Sequence, residues 1–235
     1  MSDKLHEFES DDIRVTWSKQ RCIHFAACVR GLPGVFMPGR RPWITPTDAP
    51  ADPIAAIVTR CPTGALHFER KDGGAAEAVP ERNLIEPGRD GPLFLRGDLE
   101  IVDAGGAVLL HDTRVALCRC GRSRNKPFCD NSHWSIAWND DGEVFEGGVK
   151  LAEAPPPDGR LRIVPTADGP LELRGPLMVR SADGRVAFDG GRATLCRCGG
   201  SRNKPFCDGS HTGRGFRSGA GAVAPRAPAP PAREP

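Results

Sequence analysis

The sequence predicts a string of small α+β modules: one mixed N-terminal module, then two β-rich copies of a repeated unit, then a Pro-rich tail. Three observations carry that prediction. The segment GPLFLRG from Gly91 realigns without a gap on GPLELRG from Gly169, and 26 of the 44 positions from Gly91 to Trp134 are identical to their partners 78 residues on, the mark of a duplicated unit. The hydrophobic fraction is 39% of 235 residues, below the roughly 45–50% of globular chains, so no large single core is written. Finally, there are nine cysteines, no Tyr and only 6% aromatic residues, which points to staples other than packed rings.

In chain order, the N-terminal module covers residues 8–71. IRVTW alternates like a strand, DPIAAIVTRC has the apolar spacing of a short amphipathic helix, and LHFER reads as a closing strand. Residues 73–86 are loop-like. The first repeat, residues 83–138, opens with short apolar stretches, LFLRG, LEIVD, AVLL and VALC, which read as a small meander feeding a cysteine loop. EAPPPDG near Pro155 separates it from the second repeat, residues 161–217. Residues 218–235, ending APRAPAPPAREP, have nothing to bury and read as disordered.

Lys+Arg 32 against Asp+Glu 30 leaves a formal charge of +2, which argues against nucleic acid or an anionic membrane surface as partner. MSDKLHEFESDDIRV holds no signal-peptide core, and no stretch reaches the ~18 apolar residues of a membrane span. The expectation is a soluble, cytoplasmic protein, in which free thiols serve metal ligation better than disulfides. No Ser/His/Asp set, phosphate-cradling Gly loop or carboxylate pair stands out, so no enzyme site is expected.

Each repeat spaces its ligand-type residues C-x-C-x8-C-x3-H: Cys118, Cys120, Cys129 and His133, then Cys196, Cys198, Cys207 and His211. Three thiolates and an imidazole suit a structural Zn²⁺ cage. They also suit a two-iron cluster, with the tight C-x-C pair on one iron and the Cys/His pair on the other, and the spacing favours iron. CRCGRSRNKPFCDNSH and CRCGGSRNKPFCDGSH resemble the CDGSH iron–sulfur motif at every ligand and also at Ser123, Pro127, Asp130 and Ser132, and at Ser201, Pro205, Asp208, Gly209 and Ser210. The resemblance implies one 2Fe-2S cluster per motif. It also implies a tandem, monomeric arrangement with the two repeats paired internally, where mitoNEET-type members pair single motifs by homodimerisation and carry a membrane anchor. Asn131 departs from the family's Gly but tolerates the left-handed backbone the turn requires.

Around the ligands, Asp130 and Asp208 read as caps of the turn presenting each histidine, stiffened by Pro127 and Pro205. Arg119, Arg124, Lys126, Arg197, Arg202 and Lys204 read as solvated loop charges crowding an anionic site. Two ferric ions, two sulfides and three thiolates sum to −1, or −2 when reduced, so nearby cations favour reduction. One imidazole places the potential between about −400 mV and the Rieske range of about −150 to +300 mV.

Cys22, Cys28 and Cys61 remain, in RCIHFAACVRGLPGVF and RCPTGALHF. They are either incidental buried thiols or a bacterial ferredoxin run C-x2-C-x2-C…C-P with its middle cysteine replaced by Phe25. CPTGAL, with GVF and PWI upstream, resembles divergent mono-cluster ferredoxin modules. That resemblance implies a ferredoxin-like module in which three thiolates hold a 3Fe-4S cluster, or a 4Fe-4S cluster with His24 as fourth donor. His6, His67 and His111 have no ligand context. The sequence thus reads as a one-electron carrier serving a redox partner protein. Its rivals are a cluster donor to an apo-acceptor or a pH or redox sensor, and a structural zinc module.

Overall fold

The computed structural model describes residues 4–144 and 159–218, and the chain divides into two compact units, Met1–Val79 and Pro80–Pro235. In the first, β1 (Leu5–Glu9), β2 (Ile13–Ser18) and β3 (Leu66–Arg70) form an antiparallel sheet in that order, with α1 (Ala27–Gly31) and α2 (Ala51–Val58) in the long connection between β2 and β3. The alternation of IRVTW is visible in β2: Ile13 and Val15 are fully buried, while Arg14 reaches out to Glu9 at 2.6 Å and Glu69 at 3.0 Å. α2 buries Ile54, Ala55, Ile57 and Val58 against Val35, Phe36 and Ile44. It stops at Val58, and the amide of Cys61 closes back on the Val58 carbonyl at 3.0 Å, which delivers that cysteine to the end of the helix. β1 begins three residues before the expected module start, because its sequence LHEFE lacks strict alternation at the edge of the sheet.

The second unit holds β4 (Leu84–Pro87), β5 (Leu93–Val102), β6 (Val108–Leu117), α3 (Ser132–Ser135), β7 (Leu161–Pro165), β8 (Leu171–Arg180), β9 (Val186–Leu195) and α4 (Ser210–Gly213). Two expectations are corrected here. The short stretches LFLRG and LEIVD are one ten-residue strand, β5, and the same holds on the β6 side, because the ladder absorbs Gly97 and Asp98 as a register shift instead of a turn. Residues 84–86, read as loop, belong to β4, whose partners lie far along the chain. The segment 145–158 and the tail beyond Ser218 lie outside the described residues.

The two repeats interlock. β4 runs antiparallel to the first half of β5 and parallel to the second half of β8. Its counterpart β7 runs antiparallel to the first half of β8 and parallel to the second half of β5. One six-stranded sheet results, with Leu93, Leu95, Leu99 and Ile101 in the same core as their equivalents Leu171, Leu173, Leu177 and Val179. Each such side chain contributes on the order of 2 kcal/mol by burial, so neither repeat has a complete core of its own.

Candidate metal centres

Each cysteine loop continues a strand. Past β6, Leu117 bridges to Phe128, the Cys118 amide donates to Pro127 O at 2.8 Å and the Cys129 amide to Ala116 O at 2.9 Å. The second repeat does the same with Cys196 on Pro205 and Cys207 on Thr194, at 2.8 and 2.9 Å. Ser123 and Ser201 tie the loop from within, each hydroxyl donating to a phenylalanine carbonyl at 2.7 Å. Asn131 (φ 67°) and Gly209 (φ 84°) then turn the chain through the left-handed region into α3 and α4, which carry the histidines. Asp130 and Asp208 hold that turn: each accepts from the Ser amide beside the histidine at 3.0 Å, and from the Arg124 or Arg202 amide across the loop.

In both repeats the four ligand-type side chains fall into two pairs. Cys118 Sγ lies 3.7 Å from Cys120 Sγ, and Cys129 Sγ lies 3.4 Å from His133 Nδ1; in the second repeat the separations are 3.7 and 3.5 Å. Donors on one tetrahedral metal, at ~2.3 Å for S and ~2.0 Å for N, stand roughly 3.5–3.8 Å apart. Each pair can therefore share one metal, while among the described residues no group of three or more His, Cys, Asp or Glu side chains closes around a single ion. The close contacts group the donors as two pairs per repeat.

In the N-terminal unit, Cys22 follows β2, Cys28 lies on α1 and Cys61 follows α2, and all three line one cavity of about 410 Å³ together with His24, Phe25, Trp17 and Trp43. Burial, followed by the neighbouring Cys61, pushes the Cys28 thiol up to about 11.

Residues 90–134 and 168–212 match the family model for the iron-binding zinc finger of CDGSH type, and residues 8–71 match that for a divergent 4Fe-4S mono-cluster. The chain carries two CDGSH-type iron-binding repeats. Two uncharacterized proteins named YjdI, from Escherichia coli strain K12 and from Escherichia coli O157:H7, are each 31% identical to this CDGSH protein over 64 residues, which are 27% of this chain and 84% of theirs.

The residues fit such groups by their donors. Trp17 and Trp43 line the N-terminal cavity, and their indole Nε1 atoms are buried without a hydrogen-bond partner, which is costly unless an acceptor arrives. A cluster's sulfur atoms are such acceptors. In this CDGSH protein's repeats, the hydrogen bond from Cys120 holds Cys118 down at about 6 and leaves Cys120 pushed up. Burial pushes Cys129 up to about 12 and also raises Cys196 and Cys207. Burial keeps the His133 imidazole below its usual 6.5, which favours the neutral form that binds metal.

The arginines between the cysteines are not solvated, which corrects the sequence reading. Arg119 and Arg197 are 2% and 3% exposed. Arg119 donates to the carbonyls of Gly91 and Gly88 and pairs with Asp140, and its guanidinium stacks on Trp138 at 4.7 Å. Arg197 repeats this with Gly169, Thr166 and, 78 residues beyond Asp140, Ser218 at 2.9 Å, and stacks on Phe216 at 5.6 Å. They tie each cysteine loop to its own flanks. The Trp17 and Trp43 donors went unread in the sequence, because apolar spacing cannot tell a core indole from one facing a cavity.

No helix among the described residues is long and apolar enough to cross a membrane.

Proposed function

We propose that the protein is a one-electron carrier, with a 2Fe-2S cluster in each repeat and a 4Fe-4S cluster in the N-terminal module held by Cys22, Cys28, Cys61 and His24. The observation that carries the two-iron reading is the pairing of donors at 3.4 to 3.7 Å in both repeats, which suits two metals per site better than one zinc. The larger cluster rests on the 4Fe-4S family match, on the three thiols and His24 sharing one cavity, and on the orphaned indole donors. When bound, such clusters supply reversible one-electron transfer. The chain's own residues bind them with thiolates, keep His133 neutral by burial, and shield the first site from water. A redox partner protein would give and take the electron.

A second reading, donation of a cluster to an apo-acceptor, is favoured by Cys198, Cys207 and His211, which are only half-buried. Anaerobic protein assayed for iron and acid-labile sulfide, with EPR before and after reduction, tests the content. Eight irons with matching sulfide support the reading, seven leave His24 without its role, and stoichiometric zinc without sulfide overturns it. Electron exchange with an artificial dye, faster than cluster transfer to an apo-ferredoxin, supports the carrier over the donor.

A further inference from the structure

The cysteine loops of the two repeats abut. A Cβ on Gly121 would stand 2.7 Å from the Cys198 carbonyl, and one on Gly199 would stand 2.8 Å from that of Cys120, both at φ values (83° and 75°) that favour glycine. Beside this contact opens a cleft of about 1020 Å³, floored by Cys120 and Cys198 and walled by residues 121–126 of one repeat and 214–218 of the other. Its lining carries Arg122, Arg124, Lys126, Arg214 and Arg217 and no carboxylate. Of these, only Arg217 is ion-paired, to Asp168 at 3.2 Å. Among the described residues no carboxylate answers the other four.

Offsetting the negative thiolates is the simplest role for these cations, and it has a test within the molecule itself. Cations needed by the ligands would be duplicated with the ligands, as Arg124 and Arg202 are, and Lys126 and Lys204. The remaining positions are not duplicated. Arg122 corresponds to Gly200, Arg214 to Ile136, Arg217 to Asn139 and Ser218 to Asp140. Arg122, Arg217 and Ser218 line the cleft where their counterparts do not, and Arg214 lines it together with its own counterpart Ile136. Divergence has placed two cations without a carboxylate partner, Arg122 and Arg214, in this cleft, where no cysteine requires them.

We propose that this cleft is a binding site for a polyphosphate-bearing ligand of nucleotide size. Guanidinium groups match phosphate oxygens in bidentate fashion and stay charged at any relevant pH. The volume lies at the upper end of small-ligand pockets, and the rings of Trp138 and Phe216 lie in its wall.

The test is isothermal titration calorimetry of the cluster-loaded, full-length protein with ATP, inorganic tripolyphosphate and adenosine. Arg122→Gly and Arg214→Ile each install the residue that the other copy already tolerates, and Arg174→Gln removes an exposed cation of β8 outside the cleft. Saturable binding of ATP or tripolyphosphate supports the proposal if adenosine binds at least tenfold more weakly and if Arg122→Gly and Arg214→Ile each weaken it by roughly tenfold, the value of one charge-assisted contact, while Arg174→Gln does not. ATP binding more tightly than tripolyphosphate identifies a nucleotide, and equal affinity identifies a free polyphosphate. Absence of saturable binding, or affinity unmoved by both cleft variants, overturns the proposal. So does binding of poly-glutamate with neither polyphosphate, which would assign the cleft to an acidic protein. None of these readouts depends on whether the clusters carry electrons.

Discussion

The two cysteine motifs of this chain are near copies in sequence and in backbone, yet they occupy different environments. In the first repeat Cys118, Cys120, Cys129 and His133 are all buried, the histidine at 4% exposure. In the second, Cys196 alone is buried, and Cys198, Cys207 and His211 are half-exposed. The buried arginine of the first repeat faces a carboxylate, Asp140, which also reaches Lys204 of the second at 3.4 Å. The buried arginine of the second repeat faces a hydroxyl, Ser218, and burial, partly offset by Cys118 and Asp168, lowers it to about 10. The motif therefore specifies which atoms bind, while residues outside it specify how much water and how much charge they meet.

The sharpest way to break this comparison is to delete one site. Cys129→Ser should remove the first repeat's cluster, and Cys207→Ser the second's, each lowering iron and sulfide by one two-iron cluster while the other EPR signal persists. Loss of both signals from either variant would mean that the interlocked sheet makes the sites one cooperative unit.

Exchange of the buried partners comes next. Asp140→Ser leaves the Arg119 guanidinium without its carboxylate, and breaking one side of a buried ion pair costs about 3 kcal/mol. Ser218→Asp should instead stabilise the chain and lower the potential of the second repeat's cluster, since it adds negative charge beside it. Urea unfolding and a potentiometric titration measure both effects, and equal stability of the Asp140→Ser chain and the wild type would show that Arg119 needs no counter-charge.

Acid separates the sites by a smaller margin. Burial holds His133 below its ordinary 6.5, so its neutral form persists to lower pH. What that neutrality contributes is complete above about 6.5 and is lost only as pH falls through the lower folded value. In the second repeat Cys207 and His211 are both more open to water than Cys129 and His133. Visible absorbance should therefore decay first at the second repeat as pH drops below about 6, read separately in the Cys129→Ser and Cys207→Ser chains. Equal decay rates between pH 5 and 8 would show that burial of the ligand does not govern loss.

Asn131→Gly is the mildest test. It gives the first turn the residue that the second already has, relieves a positive φ of 67°, and should change the unfolding free energy by less than about 1 kcal/mol. A larger effect would show that the Asn131 side chain does more than tolerate the turn.

The donor sets, their spacing and the backbone that presents them are local properties, legible in the residues alone. C-x-C, the Asp130 and Asp208 turns and the left-handed step at Asn131 or Gly209 are local features, settled within sixteen residues by short-range sterics and hydrogen bonds. β2, α2 and β3 were likewise legible, since each carries its own period. The rest came from packing between distant segments. β4 has no pattern of its own and is a strand because β5 and β8 lie on either side of it. Arg119 and Arg197 look like loop charges until the flanks at Trp138 and Asp140, or at Phe216 and Ser218, close over them. The cationic cleft exists because two loops 78 residues apart meet back to back. Burial and local charge are sums over neighbours that are distant along the chain, and a motif holds no record of its neighbours.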